Sequence, residues 1–104
     1  MKKYPVTFSP TSQEELINHW QYIAEDSQNT DIADSVIDEV AEFCLEKLAF
    51  LPEMGTRRDY ITEGIRFFPV GSYGGSYGVY YFFNGETVYV AHVLHQSQDV
   101  KRVF

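Results

Sequence analysis

The spacing of apolar residues changes once along the chain, near Pro52, and this change constrains the fold more than any other feature. Before Pro52, apolar residues recur every three to four positions, which is the period of an amphipathic helix. After Pro52, β-branched and aromatic residues alternate with a period close to two, which is typical of strands. The sequence therefore predicts helices in its first half and a sheet in its second.

Two helices are predicted before Pro52. Ser9 followed by Pro10 suits the start of the first helix, because serine caps a helix and proline fits its first turn. Thr30 or Asp31 is expected to cap the second helix, which Pro52 stops. The apolar stripe of the first helix is Leu16, Ile17, Trp20, Ile23 and Ala24, and that of the second is Ala33, Val36, Ile37, Val40, Cys44, Leu48 and Leu51. Two helices joined by a short link predict a helical hairpin.

Four strands complete the predicted elements. The first covers about residues 3–8, and the others are GIRFFPV, GVYYFF and TVYVAHVL. Asn84-Gly85 is a strong signal for a tight hairpin and predicts that Tyr81 lies opposite Val88. The order strand, helix, helix and three strands indicates one α+β domain over residues 1–104, in which a helical hairpin covers one face of a three-stranded antiparallel meander and an N-terminal strand.

The repeated segment GSYGGSYG, residues 71–78, predicts a turn and not a phosphate-binding loop. A phosphate loop leads into a helix and usually carries lysine, whereas this segment has no lysine and leads into a strand. Gly74-Gly75 is the expected turn centre, which would place Tyr73 opposite Ser76 and Val70 opposite Val79.

The charge distribution disfavours direct binding of nucleic acid. The formal net charge is −7, and residues 24–46 hold eight acidic side chains and no basic one. A local basic face stays open, formed by Arg57, Arg58, Arg66, Lys101 and Arg102. The N-terminal segment lacks the apolar run of a signal peptide or a membrane span, and the single Cys44 suits a buried position in a protein of the reducing cytoplasm.

Candidate catalytic residues are few. His92 and His95 are three positions apart on a strand, so they point to opposite faces and are not expected to share a metal ion. No cofactor motif is present. Glu63, Arg66 and His95 form the one candidate catalytic set, as acid, phosphate clamp and base. The alternative for these residues is a structural role in the sheet and at its ends.

Several segments resemble those of ParE-type toxins, which belong to the RelE/ParE superfamily. The resemblance is carried by EGIRFFPVGSY, YYFF and VAHVLHQSQDV, and it extends to FSPTSQEELINHWQYIAEDS and LAFLPEMGTRRD, so that it covers nearly the whole chain. It implies the RelE/ParE-like fold and a cytoplasmic toxin of a type II toxin-antitoxin module. It further implies a cognate antitoxin as partner and inhibition of DNA gyrase without enzymatic activity. Arg66 and His95 fall on motif positions and are expected to contact the target or the antitoxin.

Two other functions stay open. Another branch of the superfamily cleaves mRNA on the ribosome and carries a basic residue where this sequence has Gly78, so the resemblance implies that the main phosphate clamp is missing. A non-toxic antitoxin-binding module is the third possibility. The sequence also departs from the ParE pattern by an inserted SYGG, which we expect to lengthen a hairpin and to expose Tyr73 and Tyr77 for protein contacts.

Overall fold

The computed structural model describes residues 1–71 and 77–104, which form a five-stranded sheet with a helical hairpin on one face. The elements are β1 Val6–Phe8, α1 Pro10–Ser27, α2 Thr30–Glu42, a π-helix Phe43–Leu48, β2 Thr56–Arg57, β3 Arg66–Val70, β4 Tyr77–Phe83, β5 Val88–His95 and α3 Val100–Val103. The strand order is β1-β5-β4-β3-β2, with β1 parallel to β5 and all other pairs antiparallel. The predicted α+β fold and its meander β3-β4-β5 are confirmed, whereas β2 and α3 were not predicted.

The two helices begin at side-chain caps. Ser9 caps α1, since its hydroxyl accepts a hydrogen bond from the backbone N–H of Ser12 at 2.9 Å, as predicted. The predicted cap of α2 is wrong. Asn29 caps it, because the Asn29 amide oxygen accepts from the N–H groups of Asp31 at 2.9 Å and Ile32 at 3.4 Å. No helix within residues 1–71 or 77–104 has both the length and the apolar composition needed to span a membrane.

The helix that begins at Asn29 changes its winding at Phe43. Residues Phe43–Leu48 are π-helical, with hydrogen bonds that span five residues instead of four. This winding places Phe43 and Leu48, five positions apart, in the core together. The helix ends at Leu48, and Leu51, predicted to share the buried face, lies beyond it and is 54% exposed. The predicted stripe therefore holds as far as Leu48 and fails beyond it.

The core lies mainly between the helices and the sheet. The cluster there contains Ile23, Ala33, Val36, Val40, Phe43, Cys44, Leu48, Val70, Tyr77, Val79, Tyr81, Val88, Val90 and Val93. Cys44 is fully buried as predicted, and burial raises the pKa of its thiol to about 12. A smaller cluster on the opposite face holds Ile65, Tyr80 and Leu94.

Both predicted hairpin registers are wrong by two residues. Val70 pairs with Tyr77 instead of Val79, and Tyr81 pairs with Val90 instead of Val88. In the second hairpin the amide oxygen of Asn84 accepts from the N–H groups of Glu86 and Thr87, which makes Asn84 the first residue of the turn instead of a central one. A shift of two preserves which face each side chain occupies. The predicted centre of the first hairpin, Gly74-Gly75, lies outside the described residues.

Helix α1 covers the edge of β5 where β1 ends. The strand β1 pairs with β5 only as far as Val90. Beyond that point, the Ser9 hydroxyl donates to the carbonyl of Ala91 at 2.8 Å and the Glu15 carboxylate accepts from the N–H of Val93 at 3.0 Å. The polar groups of this sheet edge are thereby satisfied by side chains, and α1 is fixed at one end of the sheet.

Candidate functional site

The three residues of the candidate catalytic set lie at different places. Glu63 is exposed in the turn before β3, Arg66 begins β3 and His95 ends β5. Within the sheet Arg66 pairs with Tyr81, whereas His95 pairs with Tyr77. These pairs are four positions apart on β4, or about 13 Å along the strand. The structure does not bring together the acid, clamp and base.

Arg66 is engaged by the backbone of its own domain. Its Nη1 donates to the carbonyl of Glu53 at 3.1 Å and to that of Gly55 at 2.8 Å. The side chain is half-buried. Arg66 thus fixes the turn after the second helix to strand β3, and its expected contact with the target or the antitoxin stays a prediction.

Tyr81 holds the same turn from inside the core. Its side chain is fully buried, and its hydroxyl accepts a hydrogen bond from the N–H of Gly55 at 2.8 Å. A Cβ atom at position 55 would lie 2.5 Å from that hydroxyl oxygen. Burial raises the pKa of Tyr81, so the neutral phenol is the form that packs here. The segment LPEMG thus requires glycine at its last position.

A cleft of about 620 Å³ lies between the second half of α1 and the ends of β4 and β5. We call it the His-Tyr cleft, and it is lined by Asn18, His19, Tyr22, Ile23, Asp26, Tyr77, His95, Ser97 and Gln98. The Tyr77 ring lies between the two histidines, 4.8 Å from His19 and 5.2 Å from His95 between ring centroids. Tyr77 is 3% exposed, so the prediction that it projects from a hairpin tip is wrong. Tyr73 lies outside the described residues.

The two histidines of the cleft each have one ring nitrogen engaged. His19 Nε2 lies 2.7 Å from the carbonyl of Val93 and donates to it. Burial lowers the pKa of His19, so the ring favours its neutral form. At His95 the N–H of Ser97 donates to Nδ1 at 3.1 Å, which leaves the proton of a neutral ring on Nε2. His95 is thus the better placed of the two for proton transfer.

The His-Tyr cleft is poorly suited to a phosphate group. Its described lining contains no lysine or arginine and includes the carboxylate of Asp26. Phosphate is bound in proteins by guanidinium or ammonium groups, or by clustered backbone N–H groups. The cleft therefore offers an acid-base group without a clamp for the charge of an RNA backbone.

His92 occupies a separate site from His95, as the strand spacing predicted. Its Nδ1 lies 2.9 Å from a carboxylate oxygen of Glu15, and its ring contacts Phe104 at 4.5 Å. His95 contacts Tyr77 instead. The two histidines do not form a shared metal site.

Gly78 lies beneath an aromatic pair on the face of the sheet opposite the helical hairpin. The rings of Phe67 and Tyr80 are 5.1 Å apart, and a Cβ atom at position 78 would lie 2.5 Å from Phe67 Cε2. Arg58 stacks over the Phe67 ring at 5.2 Å. A larger residue at 78 would have to displace Phe67, so this position is shaped for glycine.

Sequence reasoning missed Glu15 and His19. They are four residues apart on α1, and both form hydrogen bonds with the backbone of Val93. Glu15 accepts from the N–H of Val93, and His19 donates to the carbonyl of Val93. Polar residues at this spacing beside the apolar stripe share one side of the helix, and that was the available signal. Their partner on β5 could not be identified from the spacing.

Residues 6–100 match the family described as the ParE toxin of the type II toxin-antitoxin system parDE. Among solved structures, the fold is similar to one titled "Chromosomal ParDE TA system from P. aeruginosa", with a TM-score of 0.73 and 10% identity. The similarity covers 89% of this chain and 96% of that one, and at such identity it concerns the fold alone. No curated protein matches the sequence. The family match extends from β1 to the first residue of α3.

Proposed function

This chain belongs to the ParE toxin family and is the toxin component of a type II toxin-antitoxin module, and from that premise we propose that it inhibits DNA gyrase without catalysing a reaction. In this proposal a cognate antitoxin binds the toxin in the cytoplasm and neutralises it. The solved structure of similar fold, whose title names a ParDE system, supports the existence of a protein partner.

The packing at Gly78 is the observation that carries the choice against an mRNA endonuclease. The endonuclease branch resembles this chain but has a basic residue at this position. Here the Phe67 ring occupies the space into which a basic side chain at position 78 would extend. Aromatic packing in place of a cation removes the charge that would stabilise a cleaved phosphate.

The His-Tyr cleft supports the same choice independently. Its histidines are held by Val93 and Ser97, and its described lining carries no cation. General acid-base catalysis on RNA also requires that the developing phosphate charge be neutralised. We propose that this end of the molecule contacts protein, with His95 among the contacts. Arg66 and Tyr73 stay predictions as contact residues.

A gyrase assay tests the proposal directly. Purified toxin is added to DNA gyrase, relaxed plasmid and ATP, and negative supercoiling is followed on a gel. We expect supercoiling to fall with increasing toxin and to recover when the antitoxin is added first. A parallel reaction with translating ribosomes measures mRNA cleavage. Cleaved mRNA together with unaffected gyrase would contradict the proposal and support the endonuclease.

Expression in a bacterium separates all three functions. Filamentation with a DNA-damage response is expected for gyrase inhibition, and abrupt arrest of translation for an endonuclease. Normal growth at a verified level of soluble toxin would support the non-toxic module.

A further inference from the structure

The proposed function leaves unused a groove between the second helix and β3. We call it the acidic groove, and it has a volume of about 770 Å³. It is lined by Ser35, Asp38, Glu39, Glu42, Phe43, Glu46, Lys47, Met54, Phe68, Pro69 and Val70. Acidic residues belong to the helix side, and apolar residues belong mainly to the sheet side.

The apolar part of the acidic groove is well ordered by packing. The rings of Phe43 and Phe68 are stacked, with centroids 5.0 Å apart and planes 19° from parallel. Val70 is 9% exposed beside them, and Met54 is half-buried. Rigid aromatic and flexible methionine surfaces are both favourable for binding the apolar face of another segment.

The acidic part lies along one side of the second helix. Asp38, Glu42 and Glu46 follow one another at intervals of four residues, and all three are exposed. Lys47 is the one basic residue among the described lining. Glu46 is paired with Lys3 at 3.6 Å, whereas Asp38 and Glu42 are like charges four residues apart in an α-helix, a spacing that destabilises the helix slightly. A cationic partner would relieve this repulsion as well as form ion pairs. The groove therefore favours an occupant that carries lysine or arginine.

The edge of β3 disfavours an occupant that extends the sheet. The short β2 ends at Thr56, which pairs with Phe67. Backbone groups of an edge strand point outward at every second residue, so the next outward position after Phe67 is Pro69. Proline has no N–H to offer a new strand. Binding must then rest on side-chain contacts, as when an amphipathic helix lies in a groove.

We propose that the acidic groove binds a helical segment of the antitoxin that has one apolar face flanked by lysine or arginine. This inference rests on the proposed function, since it states how the antitoxin is recognised. The apolar face packs on the half-buried Phe68 and Met54, and the basic side chains pair with Asp38 and Glu42. The charge of this toxin-binding segment is therefore positive, opposite to the excess charge of the toxin.

Two synthetic peptides test the groove itself. Both are helices of about 18 residues, near the length needed for helix formation in water, and share one leucine face. One carries lysine on the polar face and the other carries glutamate. We expect the lysine peptide to bind the full-length toxin at least about tenfold more tightly, measured by fluorescence anisotropy at moderate salt.

Charge reversal at two groove residues distinguishes binding in the acidic groove from attraction by the net charge of the toxin. The variant Asp38→Lys/Glu42→Lys should abolish or reverse the preference for the lysine peptide. The control Glu25→Lys/Glu86→Lys changes the net charge equally at exposed sites outside the groove and should retain it. Circular dichroism verifies that both variants are folded. Equal binding of the two peptides, or equal loss in both variants, would overturn the proposal.

The antitoxin, taken as the protein whose co-expression restores growth, provides the second readout. Its affinity should fall at least about tenfold for Asp38→Lys/Glu42→Lys and remain unchanged for the control. Gyrase inhibition is measured on the same variants without antitoxin. Peptide selectivity without gyrase inhibition would refute the proposed function and leave the groove proposal standing, and inhibition without selectivity would do the reverse.

Discussion

At the scale of single residues, the contact between Gly55 and Tyr81 shows where sequence reasoning ends. The sequence predicts a strand at Tyr81, which is confirmed, and Gly55 lies in the turn after the second helix. Nothing in the spacing of apolar residues indicates that the buried hydroxyl of one meets the N–H of the other, 26 residues away. Such contacts depend on tertiary packing, and they explain why a motif requires glycine.

We predict that Gly55→Ala destabilises the domain by about 1 to 3 kcal/mol, because the added methyl group overlaps the Tyr81 hydroxyl. The cost should shrink when Tyr81→Phe removes that oxygen. Tyr81→Phe alone should cost about 1 kcal/mol through the lost hydrogen bond. Urea unfolding of the four proteins completes the cycle. An equal cost of Gly55→Ala in both backgrounds would show that the contact with the Tyr81 hydroxyl is not the cause, since the ring carbon Cε1, 2.8 Å from the added Cβ, is present in both.

We predict that His19 makes the stability depend on pH near neutrality. Burial lowers the pKa of His19 from 6.5, while the nearby Glu15 opposes this shift and His95 supports it. The unfolded state therefore binds a proton more readily, and the stability contributed by neutral His19 is lost as the pH falls below about 6.5. Urea midpoints at pH 7.5 and 5.5 measure this loss.

The matched variant for His19 is His19→Gln, which keeps an N–H donor for the carbonyl of Val93 and does not titrate. Its stability should change less between the two pH values than that of the wild type. An identical pH dependence in both proteins would show that a group other than His19 causes the effect.

At the scale of elements, type and order were predictable and pairing was not. Periodicity identified the helices and three meander strands because it reports which face each residue buries. Periodicity cannot distinguish two registers that differ by two residues, because both bury the same faces. The predicted register of each hairpin differs from the observed one by two residues. The parallel pairing of β1 with β5 and the two-residue β2 also depend on tertiary contacts. The candidate catalytic set shared this limit, because periodicity did not show that Glu63, Arg66 and His95 lie at different places.

We predict that deleting residues 72–75 leaves the fold intact. Val70 pairs with Tyr77, so the deletion leaves Gly71 and Ser76 to connect them, and two-residue connections are common in hairpins. Loop length affects stability by only about 0.6 kcal/mol per doubling. The free energy of unfolding, measured with urea, should stay within about 1 kcal/mol of the wild type.

A deletion of the same size at residues 61–64 is the control for this prediction. It removes Ile61, which packs on the smaller core cluster, and Gly64, whose N–H donates to Asp59 at 2.8 Å. This second deletion should destabilise the domain clearly. If the two deletions were equally harmful, the segment 72–75 would have to contribute to the core.

At the scale of the whole molecule, the net charge and the exposed apolar surface have opposite effects on self-association. The net charge of −7 keeps copies of the chain apart at low ionic strength. Apolar residues nevertheless surround the end of the second helix, where Tyr4, Phe50, Leu51, Met54 and Phe83 line a shallow pocket. A partner that covers this apolar surface would prevent self-association through it, as expected for a toxin held in a complex.

We predict that the isolated toxin self-associates as salt is raised, because the screening length falls from about 10 Å at 0.1 M to about 3 Å at 1 M. Sedimentation velocity at both salt concentrations measures the association. Leu51→Gln should weaken it, since Leu51 is 54% exposed within the apolar pocket. Tyr60→Gln, at an 80% exposed residue outside that pocket, should not. A toxin that stays monomeric at 1 M salt would show that repulsion is not what keeps this apolar surface from associating.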